Sequence, residues 1–306
     1  MSSARADRPL VILGPTASGK SSLALDIAAA LGDVELVSID SMQVYRGMDV
    51  GTATPTPTEQ ARVRHHLIDL VEPSEAYTVG QFQAAAAEAL VDIRARSKVP
   101  VLVGGTGLYL RAVIDDLDLP GRFPDVLADL EDEPDTEALH ERLTALDPVA
   151  AARMEPTNRR RILRALEVTV GTGRPFSSFG PGLEHYPPTP FVQVALRWPR
   201  ETINERIAAR YREQLDAGFL DEVERLAATG PSRTAAQALG YRELLRHVAG
   251  ETTLDEAIEE AIVRTRRFAR RQERWFRRDP RITWIDMPSD VTDVLAIWDE
   301  VRERPA

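Results

Sequence analysis

Lys20 and Ser21 close the run Gly14-Pro15-Thr16-Ala17-Ser18-Gly19-Lys20-Ser21, which fits the spacing G-x-x-x-x-G-K-[ST]. That spacing suits one task, the holding of a polyphosphate or diphosphate. Its glycines let successive backbone N–H groups turn toward an anion, the lysine adds a point charge, and the Ser21 hydroxyl can ligate Mg²⁺. The chain takes arginine for almost every cation: Lys20 and Lys98 are its two lysines among 38 basic residues. The apolar run Leu10–Leu13 before the motif and the helical pattern Ser22–Leu31 after it supply the strand and helix that such a loop joins.

Two further loops carry side chains able to do chemistry. Asp40-Ser41-Met42-Gln43 follows the strand-like run Glu35–Ile39. A carboxylate there lies at the C-terminal end of a parallel strand, where open α/β sheets bind ligands. Asp40 can hold Mg²⁺, take a proton from a substrate, or simply cap a helix. Gly104-Gly105-Thr106-Gly107 follows Val99–Val103, bringing glycines that admit a ligand and a threonine hydroxyl at a helix N-terminus. His65-His66-Leu67-Ile68-Asp69 invites a metal reading, but adjacent histidines point apart and no second ligand pair stands at zinc-site spacing, which favours a structural role.

Charge is unevenly spread. The net charge is −10, yet nine arginines fall between Arg264 and Arg281 against Glu273 and Asp279. At 100° per residue Arg264, Arg267, Arg271, Arg274 and Arg278 form a stripe, flanked by Arg266, Arg270 and Arg277, with Ile258, Ala261, Ala269 and Phe276 opposite. Such a stripe is either a solvated helix face or a surface for phosphates. A second cluster, Arg159-Arg160-Arg161 with Arg164, opens another helical pattern. Two basic clusters could grip a folded RNA. Ten acidic residues crowd 115–137 around the lone Arg122, and that stretch is expected to face away from any nucleic acid.

The elements that position these residues alternate. Strand-like runs at Pro9–Leu13, Glu35–Ile39, Val99–Val103, Phe191–Arg197 and Ile282–Ile285 are mostly separated by helical patterns, which predicts a parallel α/β sheet flanked by helices. Thr78-Val79-Gly80-Gln81 and Thr253-Leu254-Asp255-Glu256 read as capping boxes, opening helices that run to Arg96 and about Arg278. From 119 to 189 helices replace strands, Thr136–Leu146 and Asn158–Val170 among them. We therefore expect a core of 1–118 and 190–306 interrupted by a helical insertion domain, 119–189. Without cysteine, disulfides, thiolate zinc sites and thiol catalysis are excluded. The first nine residues are polar and expected to be disordered, and neither a run of about 18 apolar residues nor a signal peptide is evident. A cytoplasmic monomer without membrane contact or obligate protein partner is the expectation.

Taken in order, Gly14–Ser21, Asp40–Gln43 with Tyr45-Arg46-Gly47-Met48-Asp49, His65–Asp69, Gly104–Tyr109, Arg164–Glu167, Gly240-Tyr241-Arg242 and Arg264–Trp275 resemble the bacterial tRNA dimethylallyltransferase family over about Pro9–Arg278. The resemblance implies a P-loop NTPase-like fold. It implies transfer of a dimethylallyl group from dimethylallyl diphosphate to the exocyclic amine of the adenosine 3′ of a tRNA anticodon. The P-loop, often labelled ATP-binding in this family, would then hold the diphosphate, with Mg²⁺ on Ser21. By the same resemblance Asp40 is the general base, Thr106 contacts the reacting groups, and Lys20 and Arg210 lie at the diphosphate. The tRNA-contacting stretches would be Asp40–Gln43 with Thr106; Arg160, Arg161 and Arg164; Gln237, Gly240, Tyr241 and Arg242; and Arg270, Arg271, Arg274 and Arg277. One departure is Leu127 after Pro124-Asp125-Val126, where the family often carries a basic residue.

A free adenine-nucleotide isopentenyltransferase would need neither separated arginine clusters nor an insertion. A P-loop nucleotide kinase would need a second phosphate-acceptor site. A GTP switch or RNA-binding module would carry a guanine-recognition motif and leave Asp40 and Thr106 without a task.

Overall fold

The computed structural model describes residues 8–303, so the first seven of the nine residues expected to be disordered lie outside the described residues. Six parallel strands form one sheet: β1 (Leu10–Leu13), β2 (Val34–Ile39), β3 (His65–His66), β4 (Val99–Gly104), β5 (Val192–Arg197) and β6 (Ile282–Asp286). Their order is β3-β2-β4-β1-β5-β6. All ladders are parallel, with Leu13 beside both Gly104 and Ala195, and Ile39 beside Gly104. Every residue of β1 and β2 is buried, as strands covered on both faces require.

Strand alternation sorts the core into two layers. Val11, Leu13, Val37 and Ile39 join one apolar cluster, and Leu10, Ile12, Val34 and Leu36 join the other. The second layer is covered by α1 (Lys20–Leu31), through Leu23, Ala24 and Ile27, and by α14 (Val291–Glu303), through Val294 and Trp298. The first layer is covered by α3 (Val79–Ala95), α4 (Gly107–Ile114), α9 (Arg200–Asp216), α10 (Phe219–Thr229), α12 (Tyr241–Val248) and α13 (Leu254–Phe276). Short helices α2 (Pro57–Arg62) and α11 (Arg233–Ala236) complete this unit. Both expected capping boxes are present, at Thr78 with Gln81 and at Thr253 with Glu256. A third, Thr56 with Glu59, starts α2.

The chain divides into two compact units, 1–115 with 188–306 and 116–187. The smaller contains α5 (Pro124–Glu131), α6 (Thr136–Leu146), α7 (Pro148–Ala151), α8 (Arg159–Thr172) and a 3₁₀ turn at Phe176–Ser178. Its core is Leu130, Leu139, Leu143, Ile162, Leu163 and Leu166, with Leu127 packed against it. Leu127 thus serves packing where a basic side chain would meet an apolar wall. Two buried carboxylates organise the unit. Glu167 accepts from Phe123 N–H at 2.8 Å and pairs with Arg164 at 2.9 Å. Asp147 caps α7 through Ala150 N–H at 3.0 Å and accepts from Ser177 N–H at 2.7 Å.

Candidate active site

Three loops meet at the C-terminal ends of the neighbouring strands β2, β4 and β1. Gly14–Gly19 follows β1 and delivers Lys20 and Ser21 to the first turn of α1. The first helical bond there runs from Leu23 N–H to Gly19 O at 3.1 Å. The amides of Lys20, Ser21 and Ser22, one turn earlier, have no intrahelical acceptor and are placed for an anion. Meanwhile the carbonyls of the loop are held by donors. Lys20 Nζ donates to Pro15 O at 2.7 Å, Arg206 Nε to Ala17 O at 2.7 Å, and Trp198 Nε1 to Ser18 O at 2.9 Å. Arg206 itself stacks 4.8 Å from the Trp198 ring.

Arg210, from α9, completes the cationic side. Its Nη1 donates to Thr16 Oγ1 at 3.1 Å and its Nη2 to Gly51 O at 3.5 Å. Burial pushes the Lys20 ammonium down to about 8, Asp40 pulls it partly back, and Arg210 adds to the fall. Burial likewise lowers the Arg210 guanidinium. Two cations confined beside a ring of N–H groups favour a ligand carrying several negative charges.

Asp40 lies half-buried where β2 ends, its Oδ1 accepting from Met42 N–H at 2.8 Å. Thr106 stands at the N-cap position of α4, and its hydroxyl, making no capping bond, accepts from Ser41 N–H at 3.3 Å. The β2 and β4 loops are thereby joined, and the reach of Asp40's field to Lys20 links them to the P-loop. Ser21 is exposed at the rim of the loop. No group of three or more His, Asp or Glu among the described residues is placed to hold a metal by itself. A single serine hydroxyl fits Mg²⁺ that takes its other ligands from substrate oxygens and water.

Several expected contact residues are engaged within the protein. Gln43 is buried; it accepts from Ser38 Oγ at 2.6 Å and donates to Ala53 O at 3.0 Å, bracing the loop beyond Asp40. Tyr241, expected on the tRNA face, is fully buried, and its hydroxyl donates to Glu222 Oε1 at 2.5 Å. Its side chain therefore belongs to the core. Gly240 is buried beside it with φ +85°, and a Cβ there would stand 2.9 Å from Phe219. Arg164 donates to Pro120 O at 2.6 Å and Gly121 O at 3.0 Å besides its pairing with Glu167, which commits it to holding its own unit. Arg160 and Arg161 are exposed; Gln237 is exposed and accepts from the half-buried Arg242 at 3.4 Å.

The basic stripe on α13 is narrower than the helical wheel implies. Arg264 is paired with the buried Glu243, and Arg266 donates to Asn204 O at 3.1 Å. Arg281 is held by Asp115 and Asp279, so Asp115, at the head of the acidic stretch, is a buried partner. Arg267, Arg270, Arg271, Arg274, Arg277 and Arg278 remain exposed, Arg277 reaching Glu273 at 2.5 Å. His66 binds Glu35 at 2.6 Å and His65 Nδ1 donates to Val63 O at 2.9 Å, so both histidines anchor the edge strand β3.

Sequence reasoning missed Glu222 and Gln272. Glu222 is 2% exposed and accepts from three successive amides, Asp49 at 2.9 Å, Val50 at 2.8 Å and Gly51 at 3.1 Å. It fixes the loop whose Gly51 carbonyl receives Arg210 and, at 3.0 Å, Gln214.

A parallel sheet whose central strand feeds a loop of P-loop spacing, with a carboxylate and a hydroxyl at the ends of the next two strands, defines a P-loop-type α/β enzyme. Within that class the chain belongs to the IPP transferase family, whose model matches residues 43–279. It is 48% identical to the tRNA dimethylallyltransferase of Thermobifida fusca over 94% of this chain and 91% of the relative. Its identity to that of Streptomyces coelicolor is 46%, over 98% and 97%. Among solved structures, the tRNA isopentenylpyrophosphate transferase of Bacillus halodurans superposes with a TM-score of 0.70 at 36% identity, covering 96% of this chain and 95% of that one. A eukaryotic dimethylallyltransferase acting on tRNA gives 0.80 at 25% identity, covering 97% and 80%.

Proposed function

We propose that this chain is a tRNA dimethylallyltransferase. It would transfer the dimethylallyl group of dimethylallyl diphosphate to N6 of the adenosine 3′-adjacent to the anticodon, position 37, in tRNAs reading codons that begin with U, releasing diphosphate. The observation that carries the reading is the meeting of an anion cradle, Lys20 and Arg210 included, with Asp40 and Thr106 on three neighbouring strands. An NTP-hydrolysing fold has been given what an alkyl transfer needs. The amine nitrogen forms a bond to C1 of the donor, the C1–O bond breaks toward the diphosphate, and the amine's proton passes to Asp40. Lys20, Arg210 and the α1 amides stabilise the charge growing on the leaving group. Mg²⁺ held by Ser21 and the diphosphate would supply further charge neutralisation. Thr106 orients the reacting groups.

The acceptor base must leave the anticodon-loop stack to reach Asp40, which is half-buried, so the adenosine is extruded from the loop. The exposed arginines of α13, with Arg160 and Arg161 of the smaller unit, supply the phosphate contacts that hold the tRNA. No helix among the described residues is long and apolar enough to cross a membrane; a tRNA acceptor accords with action in the cytoplasm. The test is transfer of radiolabelled dimethylallyl diphosphate to unmodified tRNA with Mg²⁺, AMP and ATP competing as acceptors. Label beside the anticodon is expected. Label in AMP or ATP would move the chain to free-nucleotide prenylation, and ATP turnover without transfer would make it a kinase or switch.

A further inference from the structure

Gln272 lies on the inward face of α13 and is 8% exposed. Both ends of its amide are used. Oε1 accepts from Thr16 N–H at 2.9 Å, and Nε2 donates to Gly105 O at 2.9 Å. Thr16 belongs to the P-loop after β1, and Gly105 to the loop after β4 that carries Thr106. Because Thr16 Oγ1 also receives Arg210 at 3.1 Å, one chain of bonds runs from Arg210 through Thr16 and Gln272 to the residue before Thr106. Position 105 is a glycine for the same reason: a Cβ there would stand 2.3 Å from Gln272 Nε2 and displace the amide.

We propose that Gln272 is a positioning residue for prenyl transfer, its side-chain amide setting the distance between the diphosphate cradle and the Thr106 hydroxyl. This rests on the reading of the P-loop as the diphosphate site. Apart from Thr265, whose hydroxyl meets that of Tyr211 at 2.8 Å, the rest of the inward stripe, Ala257, Ala261, Ala269 and Phe276, is apolar, and packing alone would be met by methionine at 272. Only a group that accepts and donates at once can join a backbone N–H of one loop to a backbone carbonyl of the other. Misplacement of a reacting group by about 1 Å costs on the order of 10²-fold in rate, so the bridge acts on turnover and leaves the exposed arginine face unchanged.

The test compares Gln272→Glu and Gln272→Met with the wild type by single-turnover transfer from dimethylallyl diphosphate to tRNA between pH 6 and 8.5. Tight binding of tRNA and of diphosphate is measured in parallel. An ionised glutamate accepts from Thr16 N–H but has no proton for Gly105 O; a neutral one does both and copies the amide. We expect turnover of Gln272→Glu to fall by about 10²-fold at pH 8.5 and to recover toward pH 6 when expressed as a ratio to wild type. The ratio removes the titrations that both proteins share, that of Lys20 included. Gln272→Met should be slow at every pH, with tRNA affinity within about twofold of wild type. Binding of tRNA and of diphosphate at pH 8.5 within about twofold of wild type separates this recovery from the refolding of a protein destabilised by a buried glutamate charge. Turnover within twofold of wild type for both variants, or a Gln272→Glu deficit that is flat with pH, would overturn the proposal alone. Failure of the wild type to bind diphosphate would overturn the P-loop reading beneath it.

Discussion

Binding of dimethylallyl diphosphate should draw about half a proton from solution at pH 8. Lys20 carries this effect. Burial lowers its ammonium from 10.5 to about 8, Asp40 opposes the fall, and Arg210 deepens it. In the free protein, then, roughly half of Lys20 is neutral at pH 8, about a tenth at pH 7 and about nine-tenths at pH 9. A diphosphate beside the amine restores the charged form, so each bound molecule takes up about 0.1, 0.5 and 0.9 proton at those three pH values. The sign follows from the depressed value: the ammonium is disfavoured in the empty site, and the ligand relieves that cost only by supplying a proton's worth of attraction. Affinity should accordingly be level below about pH 7 and fall about tenfold between pH 7 and pH 9. Titration calorimetry in two buffers of different ionisation enthalpy gives the proton count directly. Lys20→Met reports the ligand's own ionisation, which is subtracted. Equal uptake by wild type and Lys20→Met at pH 8, or unchanged affinity at pH 9, would refute the assignment of Lys20 to the diphosphate.

Asp40→Asn keeps an acceptor for Met42 N–H but cannot take a proton; single-turnover transfer should fall by about 10²–10⁴, with tRNA affinity unchanged. Undiminished turnover would remove Asp40 from the proton transfer. Arg271 and Arg274 are exposed on α13, and replacing both with alanine should weaken tRNA binding and reduce its salt slope by roughly 1.4–1.8; an unaltered slope would return them to solvent. Glu222→Gln sets an amide NH₂ against backbone N–H donors at 49–51 or against the Tyr241 hydroxyl, costing about 3–5 kcal/mol by urea unfolding. A change under about 1 kcal/mol would contradict that account of the loop. Glu35, held by Arg96 against the cost of burial and aided by His66, has its carboxyl lowered from 4.5 to about 2. Stability fully present above pH 4.5 should therefore be lost as pH falls toward 2. The loss is about 3 kcal/mol at most, and Glu35→Gln should flatten that acid limb in unfolding measured from pH 6 to pH 3.

The five longer strands were legible because apolar β-branched runs between helical patterns have few other uses in a chain of this length, and their ends moved by only a residue or so. The edge strand β3 was not. Two histidines pairing with Leu36 and Val37 leave no run to read, and the partner of His66 is Glu35, thirty-odd positions away. The two capping boxes were readable because their chemistry is local, a threonine and a Glu or Gln three residues on. Arg164 and Tyr241 went the other way. Arginine and tyrosine suit an RNA surface, but whether they reach it depends on which carbonyls and carboxylates the fold brings to them. Pro120, Gly121 and Glu222 are that context here.

Glu222 and Gln272 were missed for a further reason that suggests how such residues can be found. On α13 the inward positions run Ala257, Ala261, Thr265, Ala269, Gln272 and Phe276, a helical stripe interrupted by two polar side chains. On α10 the inward set is Phe219, Glu222, Val223 and Leu226, interrupted by one carboxylate. Read as noise, these interruptions only lower the amphipathic contrast of the helix. Physically they cannot be noise, because burying an amide or a carboxylate without partners costs several kcal/mol. A polar residue inside an apolar stripe therefore implies a specific donor or acceptor on a facing element. In an α/β enzyme the backbone groups that are not already taken by strands and helices lie at the loops over the C-terminal sheet edge. Thr265 meets the Tyr211 hydroxyl at 2.8 Å within the core, whereas Glu222 and Gln272 each meet just such loop backbone. The stripe-breaking positions point to the site by way of the backbone they satisfy.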